Sequence, residues 1–292
     1  MNKMKDNFLK RVTILPVFLF ALFVFSIFII SSADAMKLTL KRVVFEGSKR
    51  AEVLTIINNS EKEKTYRIGW RHFRMSPDKS LVALSEDELT DDIKPVVDMV
   101  RFAPRRFTIS GKSSQQVRMM LRTPANLEDG EYRSHLWIRP EADVNELKAA
   151  QKQREPSDNK VGINIEMLAG VTMPIIVRKG NLTADASIQG LNITERSGSY
   201  IANFSLVRAG NKSLYGDLDF ICNLGTSDEF FLKTSRGIAI YTEVNQRNFN
   251  MLIEKRQDQG QCRTVSVTYS RTDEYNGNKI EVLAQETVGV SG

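Results

Sequence analysis

The stretch Ile163-Asn164-Ile165-Glu166-Met167-Leu168-Ala169-Gly170-Val171-Thr172-Met173-Pro174-Ile175-Ile176-Val177 decides the fold. Ile163, Ile165, Met167, Ala169, Val171, Met173, Ile175 and Val177 put an apolar side chain at every second position. Side chains alternate between the faces of a strand, so these residues form one apolar ridge. The other parity, Asn164, Glu166, Leu168, Gly170, Thr172, Pro174 and Ile176, is mostly polar or small. Pro174 has no amide hydrogen to give a central ladder, which predicts a strand at a sheet edge. A long apolar edge strand aggregates unless it is covered or pairs with another chain. Two readings stay open: a ridge offered to a partner, or the last core strand of its own domain.

Outward from this ridge the chain reads as almost all strand. Upstream, Leu38-Thr39-Leu40, Val53 to Ile57, Tyr66 to Trp70, Val117 to Leu121 and Tyr132 to Ile138 alternate or are short β-rich runs bounded by Gly, Asn, Ser and Pro. Downstream of Arg178-Lys179-Gly180-Asn181, a second set comprises Tyr200 to Leu206, Leu218 to Cys222, Gly237 to Tyr241, Phe249 to Ile253, Val265 to Tyr269 and Ile280 to Leu283. The expectation is an all-β chain of two sandwiches, residues 36–179 and 180–292. Helical periodicity is predicted only over Ser85 to Val97 and Val144 to Gln153, the latter inside a charged loop, 141–160.

At the N-terminus, Lys3, Lys5, Lys10 and Arg11 precede a 19-residue apolar run, Val12 to Ile30, followed by Ser31-Ser32-Ala33-Asp34-Ala35. This pattern is a secretory signal peptide cleaved after Ala35, although the run is also long enough for an uncleaved inner-membrane anchor. Cleavage leaves 257 residues and lowers the net charge from +6 to +4, a mild excess that does not point to nucleic acid. In an oxidising compartment the two cysteines, Cys222 and Cys262, are expected to form a disulfide. Cys222 shares a face with Leu218 and Phe220, whereas Cys262 is out of phase with Val265 and Val267, which a bridge near a strand start accommodates.

Little in the chain suggests catalysis. His72 and His135 are the only histidines, without a nearby metal-ligand spacing or a G-x-S-x-G elbow. There is no glycine-rich phosphate loop, and no cofactor or small-molecule substrate is expected. Glu86, Asp87, Glu88, Asp91 and Asp92 are spaced too irregularly for a calcium loop and read as a solvated face. N-x-[ST] sequons occur at Asn58, Asn181, Asn192, Asn203 and Asn211, where Asn and Ser also mark turns. Arg42 is out of place: it shares a parity with Leu38, Leu40 and Val44. Either it is buried and needs a counter-ion, or the chain switches sheets there and Arg42 is solvated.

Four ordered motifs carry a resemblance. Ala103-Pro104-Arg105-Arg106-Phe107-Thr108-Ile109-Ser110-Gly111-Lys112, Gln115-Gln116-Val117-Arg118-Met119, Asp129-Gly130-Glu131-Tyr132-Arg133-Ser134-His135-Leu136 and Met173-Pro174-Ile175-Ile176-Val177-Arg178 resemble the first domain of PapD-like periplasmic pilus chaperones, above all the archaic or alternative branch. Arg208 to Asp217 is similar to the start of that family's second immunoglobulin-like domain. The resemblance implies two immunoglobulin-like sandwiches arranged as an L around a cleft. It also implies donor-strand complementation, in which Ile163, Ile165, Met167, Ala169 and Val171 fill the open groove of a fimbrial or pilus subunit. Burying five such side chains contributes a gross gain of roughly 7–15 kcal/mol before ordering costs.

By the same resemblance, Arg42, in Arg42-Val43-Val44-Phe45-Glu46-Gly47, holds the subunit's C-terminal carboxylate, and Arg178 and Asp273 bridge the domains. The family's usual lysine partner is replaced here by Thr172, Met173 and Pro174. The implied partners are pilus subunits and an outer-membrane usher; whether a second copy caps the ridge by dimerising stays open. The other reading is an exported or anchored immunoglobulin-like adhesion or scaffold protein whose ridge stays in its own core.

Overall fold

The computed structural model describes residues 36–78, 81–142, 168–255, 260–273 and 278–291. Ile163, Ile165, Met167, the N-terminal 35 residues and the 144–153 segment lie outside them. Among the described residues no helix is long and apolar enough to cross a membrane.

The chain is all-β and forms two immunoglobulin-like sandwiches. The first contains β1 (Met36–Leu38), β2 (Val43–Phe45), β3 (Ala51–Asn58), β4 (Lys64–Met75), β5 (Leu81–Leu84), β6 (Val100–Ala103), β7 (Arg106–Ile109), β8 (Ser114–Leu121), β9 (Gly130–Pro140) and β10 (Val171–Lys179). One sheet runs β1-β3-β8-β6, and the facing sheet runs β2-β10-β9-β4-β5 with β7 also paired to β4. Leu54, Ile56, Val117 and Met119 from the first sheet meet Ile68, Leu136, Ile138, Met173, Ile175 and Val177 from the second. These are alternate residues of each strand, as a half-buried sheet requires.

The second sandwich contains β11 (Ala184–Arg196), β12 (Ser199–Gly210), β13 (Leu214–Cys222), β14 (Phe230–Ile240), β15 (Gln246–Glu254), β16 (Thr264–Thr272) and β17 (Lys279–Ser291), in the order β14-β13-β16-β17-β11-β12-β15. Among the described residues β17 and β11 join through two parallel residue pairs, Ile193 with Val290 and Thr194 with Ser291. At that thin seam the sheet folds over, and Phe204, Leu206 and Tyr200 pack in one cluster with Phe220, Leu218, Val267 and Tyr269. Cys222 ends β13 and Cys262 lies just before β16; they form a buried disulfide with Cα atoms 5.4 Å apart.

Between Ser85 and Val97 the expected helix is absent: a single 3-10 turn, Glu86–Glu88, occurs there. Pro95 denies a helix its amide hydrogen. The segment is tied to β9 instead, with the Arg133 amide donating to Lys94 O at 2.7 Å and the Val96 amide to Ser134 Oγ at 3.0 Å. Asn58 is equally structural, for its buried amide nitrogen donates to Lys62 O, Ile109 O and Ser110 O.

β9 positions the two sandwiches on each other. Tyr132, Leu136 and Ile138 enter the first core, while Glu131, Arg133 and His135 point the other way and are also buried. Arg133 forms a two-pronged pair with Glu243, Nη2 to Oε1 at 2.7 Å and Nη1 to Oε2 at 3.0 Å, with side chains 6% and 1% exposed. Its guanidinium also lies 3.6 Å from the Tyr241 ring centroid and donates to Phe73 O. Val44, Met75 and Ile176 of the first sandwich join the apolar cluster of the second. Gly180 begins the link between them at φ +84, where a Cβ would meet Asp129 Oδ2 at 2.2 Å, so only glycine fits.

Replacing Cys222 and Cys262 together by Ala is expected to cost about 2–4 kcal/mol, since the bridge spans 40 residues; denaturant titration of oxidised protein checks this. Arg133→Met strands a buried carboxylate and is expected to cost about 3–5 kcal/mol, part of it recovered in the double variant with Glu243→Gln. Burial, aided by Arg133, holds His135 down to about 3, and burial lowers His72 as well. The native state therefore binds fewer protons than the unfolded chain between pH 6.5 and 3, and stability falls on acidification. Between pH 6 and 4, wild type is expected to lose about 2 kcal/mol more than a His135→Phe variant, read by chemical denaturation at each pH.

Candidate functional site

Two features border the first sandwich: a strand edge left open among the described residues, and a cleft against the second sandwich. β10 pairs with β9 along its whole length, from Val171 opposite Ile138 to Lys179 opposite Gly130. Its other edge is covered by β2 only at Ile175, Ile176 and Val177. Among the described residues no strand pairs with the outer edge of Val171–Pro174. The proline thus lies on the last residue before β2 begins, where the edge is open.

The ridge divides at the same place. Met173, Ile175 and Val177 are 1%, 0% and 1% exposed and belong to the protein's own core. Val171 is 38% exposed, and Leu168, Ala169 and Gly170 before it are exposed. The described ridge thus divides: its C-terminal half is a core strand, and its N-terminal end, residues 168–171, is exposed.

Arg42 lies in the cleft, also for a mixed reason. The chain does switch sheets at this point, β1 pairing with β3 and β2 with β10. Arg42 is nevertheless buried, with 8% exposure, and its guanidinium stacks 3.9 Å from the Tyr215 ring centroid. Two connected hollows share Arg42, Tyr215, Thr272 and Asp273. One, of about 450 Å³, adds Leu38, Lys41, Asp217, Asp219, Arg236 and Lys279. The other, of about 660 Å³, adds Val44, Glu46, Lys49, Arg178, Lys212 and Arg271. A planar guanidinium held against an aromatic ring is suited to pairing with both oxygens of a carboxylate.

Arg178 reaches across to the second sandwich. Its Nε donates to Glu131 Oε2 at 2.8 Å, Nη1 to Glu46 Oε2 at 3.1 Å, and Nη2 to Ser213 O and Oγ at 3.3 Å. Glu131 in turn accepts from the Ser213 amide at 3.0 Å. Asp273, placed opposite Arg178 by the resemblance, stands on the cleft wall with its amide donating to Asn278 O at 2.8 Å. Glu243 receives a first-domain arginine, Arg133, across the interface; neither of them, nor Glu131, was singled out from the sequence. Thr172 and Met173 are uncharged and supply no cation; Lys41, which lines the same hollow, is the basic residue next to Arg42 in the chain.

No family model matches the chain, and no curated protein matches it. Among solved structures it is similar to the CsuC–CsuE chaperone–tip adhesion subunit pre-assembly complex from the archaic chaperone-usher Csu pili of Acinetobacter baumannii, at 10% identity over 88% of this chain and 98% of that one, TM-score 0.43. It is similar to the E. coli chaperone DraB at 16% identity over 88% and 97%, TM-score 0.39. A third likeness is to the Salmonella enterica SafA pilin in complex with the SafB chaperone, at 11% identity over 88% and 98%, TM-score 0.40.

Proposed function

We propose that this chain is an exported, periplasmic chaperone that captures fimbrial or pilus subunits by strand addition and hands them to an outer-membrane usher. The observation that carries the reading is the open edge of β10 at Val171–Pro174, continuous in sequence with the apolar comb Ile163, Ile165, Met167, Ala169 and Val171. In this mechanism the subunit's backbone pairs with that edge while the alternate apolar side chains fill its unfinished core. Main-chain hydrogen bonds then supply generic affinity, and the pocket-by-pocket match of side chains supplies selectivity.

Arg42 is the anchor for the subunit's terminal carboxylate, with Lys41 beside it. Because Tyr215 holds the guanidinium from one side, a carboxylate approaching from the cleft meets a preset planar donor. Release needs no nucleotide: a strand of better fit displaces the lent one. The leader at residues 1–35 directs export and is removed after Ala35.

Co-expression with a subunit tests this. Ile165→Asp with Met167→Asp is expected to abolish subunit capture while far-UV circular dichroism and the unfolding midpoint stay unchanged. Arg42→Ala is expected to weaken capture about tenfold or more, the size of a lost charged hydrogen bond. Unfolding of the double variant would instead favour an adhesion or scaffold protein whose comb belongs to its own core, and retained capture would overturn the proposal.

A further inference from the structure

Three arginines stand abreast on the face of β7, β4 and β9 that, farther along β9 at Arg133, packs against the second sandwich. Arg106 on β7 is directly opposite Arg67 on β4, and Arg67 is directly opposite Arg139 on β9. Cross-strand neighbours of this kind have Cβ atoms about 4.5–5.5 Å apart, and like charges there are destabilising. The next row along the sheet is Gly69, Trp137 and Thr172, and the one after it contains Arg71. Trp137 lies between two of the cations, with the Arg71 guanidinium 3.9 Å and that of Arg139 4.9 Å from its ring centroid.

One carboxylate answers this charge among the described residues. Glu141 accepts from Arg67 Nε at 2.7 Å and from Arg106 Nε at 2.9 Å. Arg71 and Arg139 have no ion pair among the described residues. Where this face meets β10 the packing is tight around Trp137 and Arg139, and it is open beside Gly69. Gly170 runs so close to β9 that a Cβ would lie 2.7 Å from Trp137 Nε1 and 3.2 Å from Arg139 Cβ, and Gly69 has nothing within 4 Å of its own Cβ position. A sheet face that keeps three arginines abreast against their repulsion, and holds Arg71 and Arg139 on one ring, is arranged for an anionic ligand.

We propose that this face binds an acidic, extended segment of a protein partner, whose carboxylates sit beside Arg139 and Arg71 as that of Glu141 sits beside Arg67 and Arg106. A carboxylate is the group the face already holds in cis. An extended peptide brings same-face side chains at roughly 6.6–6.8 Å intervals, the pitch at which the rows of the sheet recur. The site goes beyond subunit anchoring at Arg42, which lies in the cleft and not on this face.

The test uses the purified full chain and a fluorescein-labelled octapeptide of alternating valine and glutamate, read by anisotropy, with Trp137 emission as a second signal. Binding is expected to weaken at least tenfold in Arg71→Gln with Arg139→Gln, and several-fold on raising salt from about 50 to 300 mM. The unfolding midpoint of that variant should be unchanged or higher, because repulsion is relieved; Arg71→Gln alone, at an exposed position, serves if the pair perturbs folding. Arg42→Ala should leave peptide binding as in wild type. Equal binding of a valine–lysine peptide, wild-type affinity in the arginine variants, loss of binding in Arg42→Ala, or binding of phosphatidylglycerol vesicles with none of the peptide would each overturn the proposal.

Discussion

The buried pair between Arg133 and Glu243 is the constraint on which the geometry of the molecule depends. Two ions with almost no solvent contact are tolerable only if each is fully matched. Here the match is two-pronged, with a ring face and a carbonyl taking the rest of the guanidinium and the Met75 amide donating to Glu243 Oε1 at 2.8 Å. Sliding or rotating one sandwich on the other would strand both charges. The cost of that mismatch holds the cleft walls, and with them Arg42 and Tyr215, at one separation. Arg178, Glu131 and Ser213 form a second such clasp nearer the link at Gly180.

β10 combines two demands in one strand. Met173, Ile175 and Val177 are locked into the first core, which fixes the register, since a slip of one residue would turn all of them outward. The preceding residues inherit that register without being covered. Whatever pairs with the open edge therefore meets side chains whose facing is already set, and the ordering cost of binding is correspondingly smaller. The short span of β2 is what ends the covered part, and it is short because the chain has just crossed from one sheet to the other.

Long alternating strands were legible from sequence, as were the buried character of Cys222 and the edge signal of Pro174. Short strands were not. β2, β5, β6 and β7 span three or four residues, too few for a period of two to stand out. β11 was missed because its alternation breaks between Gln189 and Asn192, where the pairing shifts. The helix expected over Ser85 to Val97 gave way at its C-terminal end to tertiary ties, Lys94 O and the Val96 amide bonding to β9 on either side of Pro95, which apolar spacing does not encode. On the candidate site, the oddness of Arg42 was visible as a parity violation, but whether the residue was buried or solvated depended on a ring 173 positions away at Tyr215.

The sequence by itself determined the all-β class, the division into two sets of strands, the disulfide's members and the existence of an apolar comb, because these follow from local periodicity and residue chemistry. Only the tertiary structure decided that the polar side of β9, Glu131, Arg133 and His135, faces protein instead of water. Alternation tells which residues share a face, but it carries no record of what covers that face. The same reason explains why Met173 and Val171, identical in parity, differ so much in exposure: the core of the first sandwich packs on Met173 and stops short of Val171.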